Sequence, residues 1–307
     1  AHPRSLRPPA ILQSVDTPSD PLEPAGAPSV DAPPVDPALL DEAVELCRHA
    51  GELTLKWFRS IELSVDHKGD GTPVTAADKA AERYLREEIE RRYPDDAIHG
   101  EEEDDKRGTS GRRWIIDPID GTKAFTKGVP LYCNLLALED EHGLAVGVIN
   151  LPGLTEVVYA GRGLGAFCNG EPARVSGCEY LDEAYLTTSG FGGWSPAALA
   201  AVNDVGIHLR TWGDGFGYAL VATGRVEAMV DQVASPWDIA PAALILAEAG
   251  GRFTSMHGAD GFHHGSGLGT NGMERDWGRS IGASAPTACC TTSSSSSSPP
   301  PSTTTDP

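Results

Sequence analysis

The spacing of apolar positions changes along the chain, and each change marks an element. From Asp36-Pro37 onward, Leu40, Val44, Cys47, Leu55 and Phe58 recur near one face of a helical period. An acid followed by Pro is a good helix start, because the acid caps a free amide and Pro already has helical φ. A second helix is expected from Thr75, carrying Tyr84, Leu85 and Ile89 and stopping before Pro94. The spacing then shortens to strand-like apolar runs at 114–116, 131–138, 145–149, 156–160 and 185–188. Helical spacing returns near 215–224, closed by Gly224, and near 239–249, closed by Gly250-Gly251. Two helices, a block of strands and then alternating elements predict a layered, mixed α/β domain.

Both ends fall outside this pattern. Residues 1–36 are rich in Pro, Ala, Ser and Asp and read as a disordered leader; with two Arg and five acids they lack the bias of a transit peptide. Runs of Ser, Pro and Thr make 281–307 a low-complexity tail. The working domain is therefore 37–280, in which 273–280 offers only a short, Gly278-containing stretch as a last helix.

Charge narrows the partners. The balance of 24 Lys and Arg against 44 Asp and Glu gives −20, which argues against nucleic acid and anionic membrane surfaces, since both need a basic footprint. No apolar run approaches the roughly 20 residues of a membrane helix. The six cysteines form no C-x-x-C pair and no zinc-finger spacing, so a reducing, cytoplasmic compartment is expected, with a plastid left open. An acidic protein that handles an anion needs local positive charge, and bound metal ions are the obvious source.

Candidate chemistry concentrates in Trp114-Ile-Ile-Asp117-Pro-Ile119-Asp120-Gly121-Thr122. An apolar strand runs into two acids kept out of helix by Pro118, so both carboxylates are expected on one stiff loop at the strand's end. Hard divalent ions take such oxygen ligands. Gly121 permits close approach, so the amides of Gly121 and Thr122 could cradle a phosphate. Two successive turns, Asp-Pro and Asp-Gly, would explain the same residues without chemistry. Further acids are Glu101, first of a Glu-Glu-Glu-Asp-Asp run that otherwise reads as a solvated loop, and Asp238, which a helix N-cap would also explain. Asp78 lies three residues after Thr75, the spacing of a capping box.

The stretch 114–127 resembles the first signature of the inositol monophosphatase superfamily. Trp237-Asp238 with Ala242 and Gly250-Gly251 resembles the second, departing at Ile239; Gly100-Glu101-Glu102 and Thr75-Ala-Ala-Asp78 resemble its upstream blocks. The resemblance implies a layered αβαβα sandwich, two or three Mg²⁺ ions and a homodimer. It also implies roles: Glu101, Asp117 and the Ile119 carbonyl on one ion, Asp117, Asp120 and Asp238 on a second, and a weaker third near Glu101. Thr122, polarised by Asp78, would orient the attacking water together with Glu101. Two ions of this kind activate the water and stabilise the leaving oxygen of a phosphate ester.

For the ester, the segment Arg210-Thr-Trp212-Gly213-Asp214 resembles that of histidinol phosphatases within the superfamily, which implies that Asp214 and Asp231 meet the cationic groups of histidinol phosphate. An N-cap role for Asp214, a strand end at Asp231 and a core position for Trp212 are the structural alternatives. Inositol monophosphatase or a broad-specificity phosphatase is the rival reading, and an acidic metal-binding homologue without turnover the non-enzymatic one. A haloacid-dehalogenase-type phosphatase is disfavoured because the acid it needs two residues after its nucleophile is Ile119 or Thr122 here.

Overall fold

The computed structural model describes residues 32–61, 63–69 and 73–273. Helix α1 (Pro37–Leu55) begins as expected, with Asp36 accepting from the Ala38 amide at 3.0 Å. A hairpin of β1 (Val65–His67) and β2 (Pro73–Thr75) leads into α2 (Ala76–Arg92). A seven-stranded sheet follows: β3 (Ala97–Gly100), β4 (Arg113–Asp120), β5 (Cys133–Asp140), β6 (Gly143–Leu151), β7 (Glu156–Gly161), β8 (Gly165–Cys168) and β9 (Glu171–Ala173), in that spatial order. Only β3 and β4 run parallel; the other pairs are antiparallel. A short helix, α3 (Thr122–Thr126), sits between β4 and β5.

The second half builds a five-stranded sheet from β10 (Tyr185–Thr188), β11 (His208–Arg210), β12 (Ala228–Asp231), β13 (Arg252–Thr254) and β14 (Gly267–Thr270), ordered β11-β10-β12-β14-β13. Helices α4 (Pro196–Asp204), α5 (Asp214–Ala222) and α6 (Pro236–Glu248) complete the described strands and α-helices. Side-chain alternation sorts the layers. Trp114, Ile116, Leu136 and Leu138 join Leu46 of α1 and Leu85 of α2 in one core. Ile115, Leu135 and Ala137 point the other way, into a core shared with Val221 of α5 and Leu246 of α6. Met229 of β12 reaches that same core from the second sheet, while its neighbours Ala228 and Val230 turn to α4. The layers are therefore helix, sheet, helix, sheet, helix, the expected αβαβα sandwich.

Three local expectations need correction. Strand β4 continues through Asp120, so the two acids of the motif lie in the strand rather than on a loop after it. Trp212 is 38% exposed rather than in the core; its ring lies 6.4 Å from Tyr185, with the Arg210 guanidinium against both rings. The end of the expected leader is packed: Val35 is buried and donates its amide to Arg162 O, and Arg162 Nε donates to Pro33 O. The rest of the leader, 274–280 and the tail lie outside the described residues.

Candidate active site

A bulge in β4 builds the centre of the site. Asp117 stands opposite Leu135 and Asp120 opposite Cys133, three residues against two. In a regular strand positions three apart face opposite ways; one extra residue turns both carboxylates to the same side. That side is the one Leu135 and Cys133 share, toward α5 and α6. Pro118 has no amide to lose from the ladder, which suits it to the bulge. The buried Asn134 side chain donates to the Pro118 carbonyl, and its own oxygen accepts from Asn150 Nδ2 at 3.0 Å, which also reaches Cys47 O at 3.1 Å. Ile119 points away, among Ala77, Phe125 and Tyr132.

Asp238 arrives from the first turn of α6. Ser235, not Asp238, is the N-cap, and Asp238 Oδ2 accepts the Ser235 amide at 2.7 Å, leaving its other oxygen for different work. One oxygen each of Asp117, Asp120 and Asp238 lie within 4.8 Å of one another. Burial, then repulsion from Glu101, Asp120 and Asp238, pushes the Asp117 carboxyl well up from its ordinary range. Burial and Asp214 do the same to Asp120, and burial leads in raising Asp238 to about 6. Asp117 Oδ1 is buried with no hydrogen-bond partner. Converging carboxylates, one with an orphaned oxygen, fit a divalent cation: the charge that burial makes costly is what an ion neutralises.

Glu101 approaches from the loop after β3, close enough to Asp117 to raise it. Sequence reasoning missed its partner Lys68, whose ammonium lies 2.6 Å from Glu101 and 2.7 Å from Glu102. A lone Lys after a two-sided polar strand carries no motif, so no signal could have singled it out. Asp78 is the capping-box partner of Thr75: its Oδ2 accepts the Thr75 amide at 2.8 Å and the Thr75 hydroxyl. Its Oδ1 is buried and unpartnered, and burial raises the group to about 6. The Thr122 hydroxyl donates to Ile119 O at 3.0 Å, so the hydrogen bond implied between Thr122 and Asp78 is not the one formed.

Glu101, Asp120 and Asp238 line a cleft of about 580 Å³ together with Lys123, Ser189, Asp214, Asp231 and Val233. Gly121 has φ +80 and faces Asp214, whose Oδ2 would lie 3.0 Å from a Cβ there. Asp214 is the first residue of α5, after the N-cap Gly213, and holds φ +56, unusual for a residue with a side chain. The adjoining Gly215 amide donates to Asp120, tying α5 to β4. Asp231 does end a strand, and the alternation that buries Met229 turns it inward too. Ser189, also missed, donates to Asp231 and accepts the Asp214 amide at 2.8 Å. Burial raises Asp231 to about 7, Ser189 opposing and Asp214 adding to the rise. The structure thus brings Glu101, Asp120, Asp238, Asp214 and Asp231 around one hollow, with Asp117 against Asp120 and Asp238.

The sequence profile of the inositol monophosphatase family matches residues 37–288. The chain is 43% identical to a histidinol-phosphatase of Chlorobaculum parvum, covering 79% of this chain and 96% of the relative. It is 40% identical to a histidinol-phosphatase of Mycobacterium tuberculosis, covering 76% and 94%. Among solved structures, the extragenic suppressor protein suhB of Bartonella henselae superposes with a TM-score of 0.76 at 28% identity, over 81% of this chain and all of that one. The chain belongs to the inositol monophosphatase family. It is a phosphoric monoester hydrolase.

Proposed function

We propose that this enzyme hydrolyses histidinol phosphate with the help of two or three Mg²⁺ ions. The observation that carries the reading is a cleft lined by two groups of acids. Asp117, Asp120 and Asp238 converge on one point, and Asp214 and Asp231 line the same cleft beside them. Identity to two histidinol-phosphatases over most of both chains supports the choice of ester. Glu101, Asp117 and Ile119 O would hold one ion and Asp117, Asp120 and Asp238 another, the third lying near Glu101. Bound there, the ions would lower the pKa of the attacking water and stabilise the departing alkoxide.

The chain's own groups do the rest. The amides of Gly121 and Thr122 point donors at the phosphate, and Glu101, with Thr122 and Asp78, orients the water. The Thr122 hydroxyl must leave Ile119 O to take part, and the orphaned Asp78 Oδ1 is an acceptor in need of a donor. Water oxygen bonds to phosphorus as the ester P–O bond breaks, the water gives up a proton to solvent, and the alkoxide leaves with a proton from solvent. Asp214 and Asp231 pair with the ammonium and imidazole through charge-assisted hydrogen bonds. The reading places the enzyme in histidine biosynthesis, in the cytoplasm and as a homodimer, which sedimentation checks. Among the described residues no helix is long and apolar enough to cross a membrane.

Comparison of kcat/KM for histidinol phosphate and inositol 1-phosphate tests the assignment. Asp214→Ala should cost histidinol phosphate about ten-fold or more, the worth of one charged hydrogen bond, and inositol phosphate far less. Equal losses on both esters would remove the specificity reading and leave a broad phosphatase.

A further inference from the structure

The run Glu101-Glu102-Glu103-Asp104-Asp105 is five successive acids that repel one another, yet the loop follows a defined path past the cleft. Lys68 pairs with the first two of these side chains, and the loop's backbone is held from α2. Glu82 is fully buried, and its two carboxylate oxygens accept the amides of Glu102 at 2.8 Å and Glu103 at 3.1 Å. Arg86, one turn on, donates Nε to Glu82 at 2.8 Å, Nη2 to Glu103 O at 2.8 Å and Nη1 to Asp104 O at 3.0 Å. One ion pair therefore grips the loop by donors and acceptors of its backbone. The grip is close: a Cβ on Gly100 would lie 2.2 Å from Glu82 Oε1 and 2.7 Å from Arg86 Nη2. Beyond the loop, Ile98 and Lys106 exchange backbone bonds of 2.9 Å in both directions, closing its other end.

A buried ion pair is a poor way to add bulk stability, because apolar residues of like volume do as well or better. It does one thing they cannot: it fixes the register of a polar loop through that loop's own amides and carbonyls. We infer that Glu82 and Arg86 are positioning residues that hold Glu101 where the metal centre needs it. Without them, a loop of like charges would have to be ordered at the moment an ion binds, and the lost chain entropy would come out of the binding energy. The inference rests on the reading of Glu101 as a metal ligand; neither residue lines the cleft.

Calorimetric titration of Mg²⁺ into the metal-free full chain tests it. Glu82→Gln and Arg86→Lys should bind Mg²⁺ about ten-fold more weakly, as loss of an outer-shell partner does, while kcat at saturating Mg²⁺ stays within about three-fold of the parent. Arg83→Ala is the control, since Arg83 is an exposed side chain 3.9 Å from Glu103 and should leave the affinity unchanged. Unchanged affinity in folded Glu82→Gln and Arg86→Lys, or an equal loss in Arg83→Ala, overturns the inference. If either variant fails to fold, amide exchange in the parent decides. The Glu102 and Glu103 amides should exchange as slowly as those inside β4, and fast exchange overturns it. A parent chain that binds no Mg²⁺ sinks instead the reading of Glu101 as a ligand.

Discussion

The cleft brings together two groups of acids that are built differently. On the metal side, Asp117 and Asp120 stand on a buried strand, and Asp238 on a helix packed against it. Their oxygens crowd within 4.8 Å, and one of them has no partner at all. On the other side, Asp214 hangs on a strained backbone and Asp231 ends a four-residue strand, each tied to Ser189 rather than to another carboxylate. The first arrangement must be neutralised, by protons or by a concentrated positive charge in its midst. The second holds two carboxylate-bearing residues on one hydroxyl, that of Ser189. A metal centre and an organic-cation site thus differ less in composition than in how closely the scaffold forces like charges together.

The change that should break this comparison most sharply is Asp117→Asn. Asn keeps the volume and leaves the bulge intact but removes the charge shared between the two ion sites. Activity should fall by more than about 100-fold, beyond what an outer-shell change costs, with an unaltered circular dichroism spectrum. A variant with near-parental phosphate release would mean that the crowded acids are not the catalytic centre.

Asn134→Ala attacks the scaffold beneath the metal side. It strands the Pro118 carbonyl in a dry interior and takes from the Asn150 amide one of its two acceptors, Cys47 O remaining. Unfolding by urea should show a loss of about 1–3 kcal/mol. Because the bulge is what turns Asp120 to the side of Asp117, Mg²⁺ affinity should fall as well. A destabilised variant with parental affinity would show that the β4–β5 ladder sets the bulge without help.

The same contrast explains what was legible in the sequence. The metal side could be read because its acids stand near Pro and Gly in a run with few alternatives, and because helix starts at Asp36 and Thr75 carry caps that act locally. The bulge could not be read: whether two residues three apart share a face depends on the partner strand, which lies outside any local window. Strand β14, Gly267-Leu-Gly-Thr, reads as loop by composition. It is a buried strand because a Cβ at Gly267 would meet Tyr218 Oη at 2.3 Å and one at Gly269 would meet Leu246 Cδ1 at 2.5 Å. Lys68, Ser189, Glu82 and Arg86 were invisible for a similar reason. Each acts by touching a backbone or side chain brought near by the fold, and none belongs to a motif. Trp212 misled in the other direction, its size suggesting burial while Arg210 and Tyr185 give it a polar-faced stack at the surface.

The smallest effect sharpens the comparison most, because it separates charge from chemistry. Asp231 has a folded pKa of about 7, raised chiefly by burial, so the folded chain holds this proton more tightly than the unfolded chain does. Between about pH 4 and pH 7 the native state therefore binds more protons, and stability must fall as pH rises through that window. Asp78 and Asp238, each raised to about 6, act with the same sign. The metal-free protein in chelator should accordingly melt higher at pH 5 than at pH 8. Asp231→Asn removes one ionisation while leaving an oxygen to accept from Ser189. At pH 8 it should stabilise the metal-free chain by about 1–2 kcal/mol, or roughly 2–8 °C in Tm for a domain of this size, and flatten the slope. Added Mg²⁺ should lift the parent's Tm at pH 8 and shrink the Asp231→Asn increment only in part, since burial leads the rise at Asp231 and Asp238 adds to it. Complete loss of the increment on adding Mg²⁺ would mean that Asp231 belongs with the metal ligands, and the division between the two groups of acids would have to be redrawn.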